Sequence, residues 1–417
     1  MVSTNPENIL PVIYIQSNWD EVIQKLDGKV WVISKRKGCK NVEGNLRTVS
    51  LDSSGLPQLK SDDGFKAESV AKNILRVEHI ASGSKISFLS ATRIYSDMHK
   101  KAIRSLAITS TDLSISYCDE GNLIVWDHNR GVLKRKLEGH IGDVYKCRFF
   151  PSEKVVLSCG QDLSLKIWDI NTGYCVSLKG HHQAVTDFAI IDVGRNIVSV
   201  SKDGRVKLWN CGDASCIDTL ACVSSIINCC AITSVPDVRM LGLPDDSPVS
   251  EKEVGTKNKM VVFGCENGWL HGVAVHSRRK VFERDTGAPI NTIAFLDTTE
   301  PTGHRCHFVT GHHNGQLTLY DVTDTAQPLR ILHDSNNAIL RLLPFGSKGF
   351  LASEADGSVY FITNDLKTKL YSLTGSNFDP IYDLASDGLF VYTACRDGLI
   401  RRYAMKRCLK DYDEEWS

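Results

Sequence analysis

His140, Ser158 and Asp162 are the residue types of a hydrolytic triad, in which an imidazole takes a proton from a hydroxyl and a carboxylate orients the ring. The same trio recurs as His181, Ser199 and Asp203, and a tryptophan follows each copy, Trp168 and Trp209, so that both sets share spacings of 18, 4 and 6. Two copies, each with an indole donor, argue for a structural use. The histidine bridges the carboxylate and the hydroxyl, the hydroxyl meets the indole N–H, and each buried polar group satisfies another. The other chemistry-bearing cluster, His304, Cys306, His307, His312 and His313, has metal-ligand types. Residues 306–311 read as one strand roughly 20 Å long at about 3.3 Å per residue, which places the two ends of the cluster on opposite faces. No metal and no cofactor is expected. Phosphate-binding glycine loops and dinucleotide fingerprints are absent from the sequence.

The elements that hold these residues repeat. Glu120–Trp126, Asp162–Trp168 and Asp203–Trp209 align without gaps, with tryptophans 42 and 41 residues apart. The frame returns at Asn267–Val273, Asn314–Tyr320, Asp356–Ile362 and Asp397–Tyr403, after steps of 64, 47, 42 and 41 residues. Seven units of forty-odd residues result. Within one unit, 144–150, 155–159, 163–168 and 174–179 are apolar or β-branched runs between turn residues, which predicts four short strands. Four strands per unit make a propeller blade. The Gly-His starts (Gly139-His140, Gly180-His181) and Trp-Asp ends (Trp126-Asp127, Trp168-Asp169) resemble the WD-repeat family. The predicted fold is all-β: a seven-bladed WD-repeat β-propeller over residues 86–405, behind a small mixed N-terminal domain, 1–85. Repeats four to seven lack the histidine and the terminal tryptophan, and their blades are expected to rest on apolar packing.

Residues 86–95, rather than 405–412, are expected to close the ring as the fourth strand of the last blade, removing an open edge. In the N-terminal domain, Val12–Gln16, Val30–Ser34 and Leu46–Leu51 read as strands and Asn18–Leu26 as a helix with an asparagine cap. The long step before Val273 locates an insertion at about 236–258, rich in proline and charge and expected to be a surface loop. Residues 406–417 form an acidic tail.

Lys plus Arg and Asp plus Glu both total 49, so no charge excess points to nucleic acid. The short clusters His99-Lys100-Lys101, Arg278-Arg279-Lys280 and Arg401-Arg402 read as solvated faces, without the interleaved aromatics of an RNA track. No run reaches the eighteen or so apolar residues of a membrane helix. Fourteen cysteines include no CxxC, which fits a reducing intracellular compartment. What remains is surface. By the repeat frame, one propeller face collects Asp97, Asp119, Glu120, Asp143, Glu266, Asp334, Glu354 and Asp379, opposed by Lys100, Lys101, Lys202 and Arg396. Such a rim leans acidic and would steer a basic partner.

More particular strings lie between the repeats: Arg148-Phe-Phe-Pro-Ser152, Asp192-Val-Gly-Arg-Asn196, Leu208-Trp-Asn-Cys-Gly212, Glu253-Val-Gly-Thr256 and Cys395-Arg-Asp-Gly-Leu-Ile-Arg-Arg-Tyr403. Together they resemble the proteasomal ATPase-associated factor family over most of 86–404. The resemblance implies a non-catalytic chaperone, cytoplasmic and nuclear and monomeric on its own. Such a chaperone binds C-terminal domains of ATPase subunits while the base of the proteasome regulatory particle assembles. Two other classes share the propeller. A substrate receptor of a cullin-type ubiquitin ligase often carries Trp-Asp-x-Arg, where this chain has Trp126-Asp-His-Asn and Trp168-Asp-Ile-Asn. An RNA-associated scaffold would show a basic groove, and a general WD-repeat scaffold is the remaining alternative.

Overall fold

A computed structural model describes residues 11–62, 64–235, 250–298 and 305–405. Seven sheets form the ring, each with four antiparallel strands running from the axis outward. Blade one spans Ile103–Leu137, blade two Val144–Lys179, blade three Val185–Cys222 and blade four Ile227–Asp285. Blade five spans Ile290–Leu332, blade six Ile339–Leu373, and blade seven Ile381–Tyr403 completed by Arg93–Tyr95. The second and third strands are buried on both faces because neighbouring blades sandwich them. Leu123–Asp127 is buried throughout, whereas the outermost strand Val132–Leu137 is mostly exposed. The core therefore lies between blades. Ile115, Tyr117 and Val125 of blade one pack with Val144, Cys147, Val156 and Trp168 of blade two. Burial of each large aliphatic side chain contributes about 1.5–3 kcal/mol.

The ring closes from the N-terminal side, through two strands instead of one. Ser84–Leu89 runs parallel to the outer strand of blade six, pairing Ser87 with Tyr371 and Leu89 with Leu373. Only Arg93–Tyr95 reaches blade seven, where Tyr95 pairs with Ile400 and Arg93 with Arg402. The segment 86–95 thus splits because Phe88 and Leu89 are buried in the cores around blade six, while Tyr95 belongs to the core between blades seven and one. Residue 85 falls inside a strand shared by both parts of the chain, and Phe65–Ala71, Ile74–His79 and Ser84–Leu89 extend blade six to seven strands.

The remaining N-terminal strands, Val12–Ile15, Lys29–Lys35, Val42–Leu51 and Pro57–Ser61, form a separate sheet with one helical turn, Trp19–Ile23. The turn is shorter than the sequence suggested, and Asn18 makes no side-chain cap; its carboxamide oxygen accepts from Gln16 Nε2 at 2.8 Å. Trp19 is fully buried and donates Nε1–H to Thr374 Oγ1 at 2.9 Å, which fastens this sheet to blade six. Within the expected insertion, 236–249 lies outside the described residues. Its end does not behave as a free loop. The Lys252 carbonyl accepts from Asn196 and Asn210 at 2.9 and 3.0 Å, and Glu253 takes a hydrogen bond from Arg278 at 3.0 Å. The tail 406–417 also lies outside the described residues.

The two tetrads pin the turns of blades two and three. His140 Nε2 lies 2.7 Å from Ser158 Oγ, its Nδ1 2.9 Å from Asp162, and Trp168 donates to the same Oγ at 2.8 Å. In blade three the matching distances are 2.8, 3.0 and 2.8 Å. Burial raises the Asp162 carboxyl, but the His140 hydrogen bond and charge outweigh it and hold it at about 2. Ser158 and Ser199 are fully buried, so no substrate carbonyl reaches either hydroxyl. Blade one holds three quarters of the same device. His99 Nε2 meets Ser116 Oγ at 2.6 Å and Trp126 donates to it at 3.1 Å. Glu120 replaces the aspartate and stays exposed, and the His99 Nδ1 is left buried without a partner. Burial accordingly lowers His99 to about 4.

At the axis, carboxylates sew blades together. Asp383 of blade seven accepts from Ser105 Oγ and Leu106 N of blade one at 3.0 and 2.9 Å. It also takes both Arg148 guanidinium nitrogens of blade two at 2.9 Å and Arg341 Nε of blade six at 3.0 Å. Asp187 of blade three likewise accepts from Cys230 N of blade four at 3.0 Å and pairs with Lys146 of blade two. Burial alone would raise Asp383; the two arginines outweigh it and hold it at about 2.

Two stability predictions follow from these contacts. Asp383→Ala leaves two largely buried guanidinium groups without their carboxylate and is expected to cost about 3–5 kcal/mol in chemical denaturation. Because the folded pKa lies below the unfolded value of about 3.9, the Asp383 contribution is complete above about pH 4 and is lost as pH falls towards 2. The variant should therefore lose most of its disadvantage in that window; an unchanged difference at pH 2.5 and 7 would refute the assignment. Ser158→Ala strands the Trp168 indole and the His140 ring and is expected to cost about 1–3 kcal/mol, whereas Ser152→Ala, in an exposed loop, should shift the melting temperature hardly at all.

Candidate protein-binding face

Each innermost strand begins at one face of the ring, so the loops that enter it and the turns between the second and third strands share that face. In every blade the register shifts directly after the first residue of the innermost strand. Such a bulge takes one residue out of the ladder and re-aims its side chain. The seven re-aimed residues are Arg104, Tyr145, Thr186, Asn228, Asn291, Leu340 and Tyr382.

They divide by blade. Thr186, Asn228 and Asn291 each donate to the first innermost-strand carbonyl of the next blade, at Ile227, Ile290 and Ile339, over 2.6, 3.2 and 3.0 Å. Those three are tied inward. Across blades seven, one and two the set is Tyr382, Arg104 and Tyr145, and it stays partly open. Arg104 lies 4.2 Å above the Tyr382 ring and forks onto Asp119 with two 2.7 Å hydrogen bonds. Lys202 sits 5.5 Å from the Tyr145 ring centroid. Tyrosine and arginine are the side chains that anchor interfaces, and their positions could have been found by carrying the repeat frame one residue past Ile103, Val144 and Ile381.

The structure redistributes the carboxylates of the expected acidic rim. Asp97, Glu120 and Asp143 are exposed and form no ion pair among the described residues. Asp119 is engaged by Arg104, and Asp379 by Arg396 Nε at 2.8 Å. Glu266 accepts from Asn228 Nδ2 at 2.7 Å. Asp334 and Glu354 flank Lys369 at 2.9 and 3.5 Å, and Glu354 is only 3% exposed. It presents no carboxylate to a partner, because the N-terminal sheet covers it. Burial, then Glu354 and Asp356 nearby, push the overlying Tyr14 hydroxyl up to about 12, and burial raises Glu354 itself. Lys37 of the N-terminal sheet reaches Asn336 at 3.2 Å, and Trp31 stacks on Phe378. The sector over blade six is therefore occupied by the protein's own chain. The open sector runs from blade seven through blade three and is mixed in charge.

The three basic clusters expected to be solvated faces are so only in part, with Lys100, Lys101, Arg279 and Lys280 exposed. His99 is buried in its tetrad. Arg278 pairs with Glu253 and Asp218, and Arg401 is buried against Asp397 at 2.6 Å. His307 and His312 stand at opposite ends of the strand Arg305–His312, and His312 is used by Thr310 at 2.8 Å and the Ala288 carbonyl at 3.2 Å. His304 and the Cys306 side chain lie outside what is described. Among the described residues no three His, Cys, Asp or Glu side chains are placed to hold a metal ion. No helix among them is long and apolar enough to cross a membrane.

The family model of the WD domain, G-beta repeat, matches residues 131–169 and 173–210, which carry the complete tetrads. The chain is 36% identical over 393 residues to proteasomal ATPase-associated factor 1 of Gallus gallus, covering 94% of this chain and 98% of that protein. It is 35% identical to the Homo sapiens protein of the same name over the same shares. Similarity to the 26S proteasome regulatory subunit RPN14 of Saccharomyces cerevisiae is 28% over half of each chain. With the propeller, the fused N-terminal sheet and this near full-length identity together, the chain belongs to the proteasomal ATPase-associated factor 1 family.

Proposed function

We propose that this protein is a non-catalytic chaperone for assembly of the base of the proteasome regulatory particle. It binds the C-terminal domain of a proteasomal ATPase subunit on the open sector of its loop face. Family membership supplies the partner class. The structural observation that carries the reading is the asymmetry of the bulge ring: Thr186, Asn228 and Asn291 hydrogen-bond to the next blade's backbone, whereas Tyr382, Arg104 and Tyr145 make no such bond and stay partly open, with Arg104 lying over the Tyr382 ring. They provide aromatic anchors, while the exposed Asp97, Glu120 and Asp143 around them supply charge for a basic domain. The rigid ring holds this set in fixed register, so a bound domain is kept from other partners without any chemical step. Glu354 and Asp334 take no part, since Lys369 and the N-terminal sheet already enclose them.

Capture from cell lysate followed by mass spectrometry should recover base ATPases, and binding to the recombinant C-terminal domain should weaken as salt rises. Tyr145→Ala with Tyr382→Ala is expected to weaken that binding by more than about tenfold, on the scale of interface anchors. Glu120→Lys with Asp143→Lys should weaken it less and remove most of the salt dependence. Recovery of cullin adaptors without base ATPases would sink the proposal. Full binding by the double tyrosine variant would move the interface elsewhere.

A further inference from the structure

The seam between the N-terminal sheet and the propeller holds a cleft of about 490 Å³ at the covered edge of the loop face, lined by none of Arg104, Tyr145 and Tyr382. One wall is the helical turn, with Asp20 and Glu21; the other is the loop joining blades six and seven, with Asn377 and Phe378. Trp31 closes the back, its ring within 8° of parallel to Phe378 at a centroid separation of 6.3 Å.

Phe378 is the unusual member. Asn377 and Phe378 have φ of 51° and 66°, in the left-handed region where a bulky side chain is disfavoured and glycine is at ease. Yet Phe378 is 54% exposed, so burial of its ring does not offset that conformation. Backbone strain that holds an aromatic ring half in solvent is a mark of binding surfaces. Beside it, Asp20 and Glu21 form no ion pair among the described residues. Arg401, also in the wall, pairs with Asp397 at 2.6 Å through one terminal nitrogen, while its Nε and other terminal nitrogen are buried without a partner. The cleft is therefore net negative and aromatic. A second cleft that shares Trp31 and Phe378 is lined by Lys35, Arg36 and Lys37 together with Asp334 and Asp356, so its charge is mixed where that of the seam cleft is acidic.

We infer that this seam cleft binds an arginine side chain of a protein partner, with the guanidinium laid on the Phe378 and Trp31 rings and paired with Asp20 and Glu21. A planar cation suits flat aromatic walls with carboxylates at the rim, and arginine loses less hydration there than lysine. The inference does not depend on the ATPase reading, since it specifies the side chain recognised and not the protein that carries it.

The test uses the full chain labelled with 15N, following the Trp31 indole resonance, assigned by its loss in Trp31→Phe. The probe is an acetylated, amidated Gly-Arg-Gly-Arg-Gly peptide, and the control replaces arginine by citrulline, which keeps the shape and removes the charge. The arginine peptide should move the indole signal saturably, and citrulline should weaken the effect by about tenfold or more. Asp20→Asn with Glu21→Gln should do the same. Phe378→Gly should abolish most of the response while leaving the melting temperature equal or higher, because glycine relieves the strained backbone. A Trp31 signal that ignores the arginine peptide, or responds equally to citrulline, overturns the inference. So does an unchanged response in Phe378→Gly.

Discussion

A propeller has no continuous core, so everything depends on its first and last blades being held at the axis, and here Asp383 does most of that work. One carboxylate on blade seven joins blades six, one and two, through Arg341, through Ser105 and Leu106, and through Arg148. Against this, the strand that closes the last blade pairs over only three residues, Arg93–Tyr95. A short edge pairing is weak alone. Its register is secured because the axial ion pairs have already fixed where blade seven must stand. Tyr95 adds to this by packing edge to face against Trp126 of blade one and donating to the His128 carbonyl at 2.6 Å.

The bulges link that axial constraint to the surface. Skipping one residue in each innermost strand turns the following side chains, Asp187, Arg341 and Asp383 among them, onto the axis. The skipped residues are sent to the mouth of the ring. One backbone device thus produces both the stitching and the candidate binding residues. The same repeat position serves opposite ends in different blades according to residue type. Short amides and a threonine reach the next blade's carbonyl, whereas Arg104 turns to Asp119 and the Tyr382 ring and Tyr145 lies beside Lys202.

Much of this was legible because strand structure writes itself into short windows. The strands of blade two lie within a residue of their expected limits, since Val144–Phe149, Val155–Gly160, Ser164–Asp169 and Cys175–Lys179 are bounded by turn residues. The fixed spacing of the tetrads let two complete sets be read. The blade-one set was hidden by a single-residue contraction, 17 residues from His99 to Ser116 in place of 18, and by Glu120 standing for aspartate. Of the three strands between 57 and 79, Pro57–Ser61 and Phe65–Ala71 each bury only their first residue and alternate between exposed and half-buried positions without an apolar face, whereas Ile74–His79 buries four of six. The exposure of Glu354 could not be read at all. Its place in the repeat frame is a surface one, and only tertiary structure puts the N-terminal sheet above it. Asp119 and Asp379 teach the same point, because their partners Arg104 and Arg396 lie 15 and 17 residues away and only strand pairing brings them close.

The decay of the tetrads around the ring has a physical logic. Blades two and three, and one in part, keep a polar bridge beneath turns that lie in the open sector, where solvent would otherwise loosen the loops that carry Asp143 and Lys202. Blade five keeps a buried Thr310–His312 bridge at 2.8 Å and adds aromatic stacking, Phe308 against Tyr320 at 5.2 Å and against Phe282 of blade four at 6.4 Å. Blade six has neither. Its turns are held by the Asp334–Lys369–Glu354 cluster and by Asn337 on Asp356 at 2.7 Å, roofed by Tyr14 and the N-terminal sheet. Burying a charge cluster of that kind costs desolvation, which its mutual attraction and hydrogen bonds must offset, and the packing of the N-terminal sheet over it adds to that side of the balance. The N-terminal sheet is therefore part of the propeller's stability, and it also divides the loop face into a covered sector and an open one.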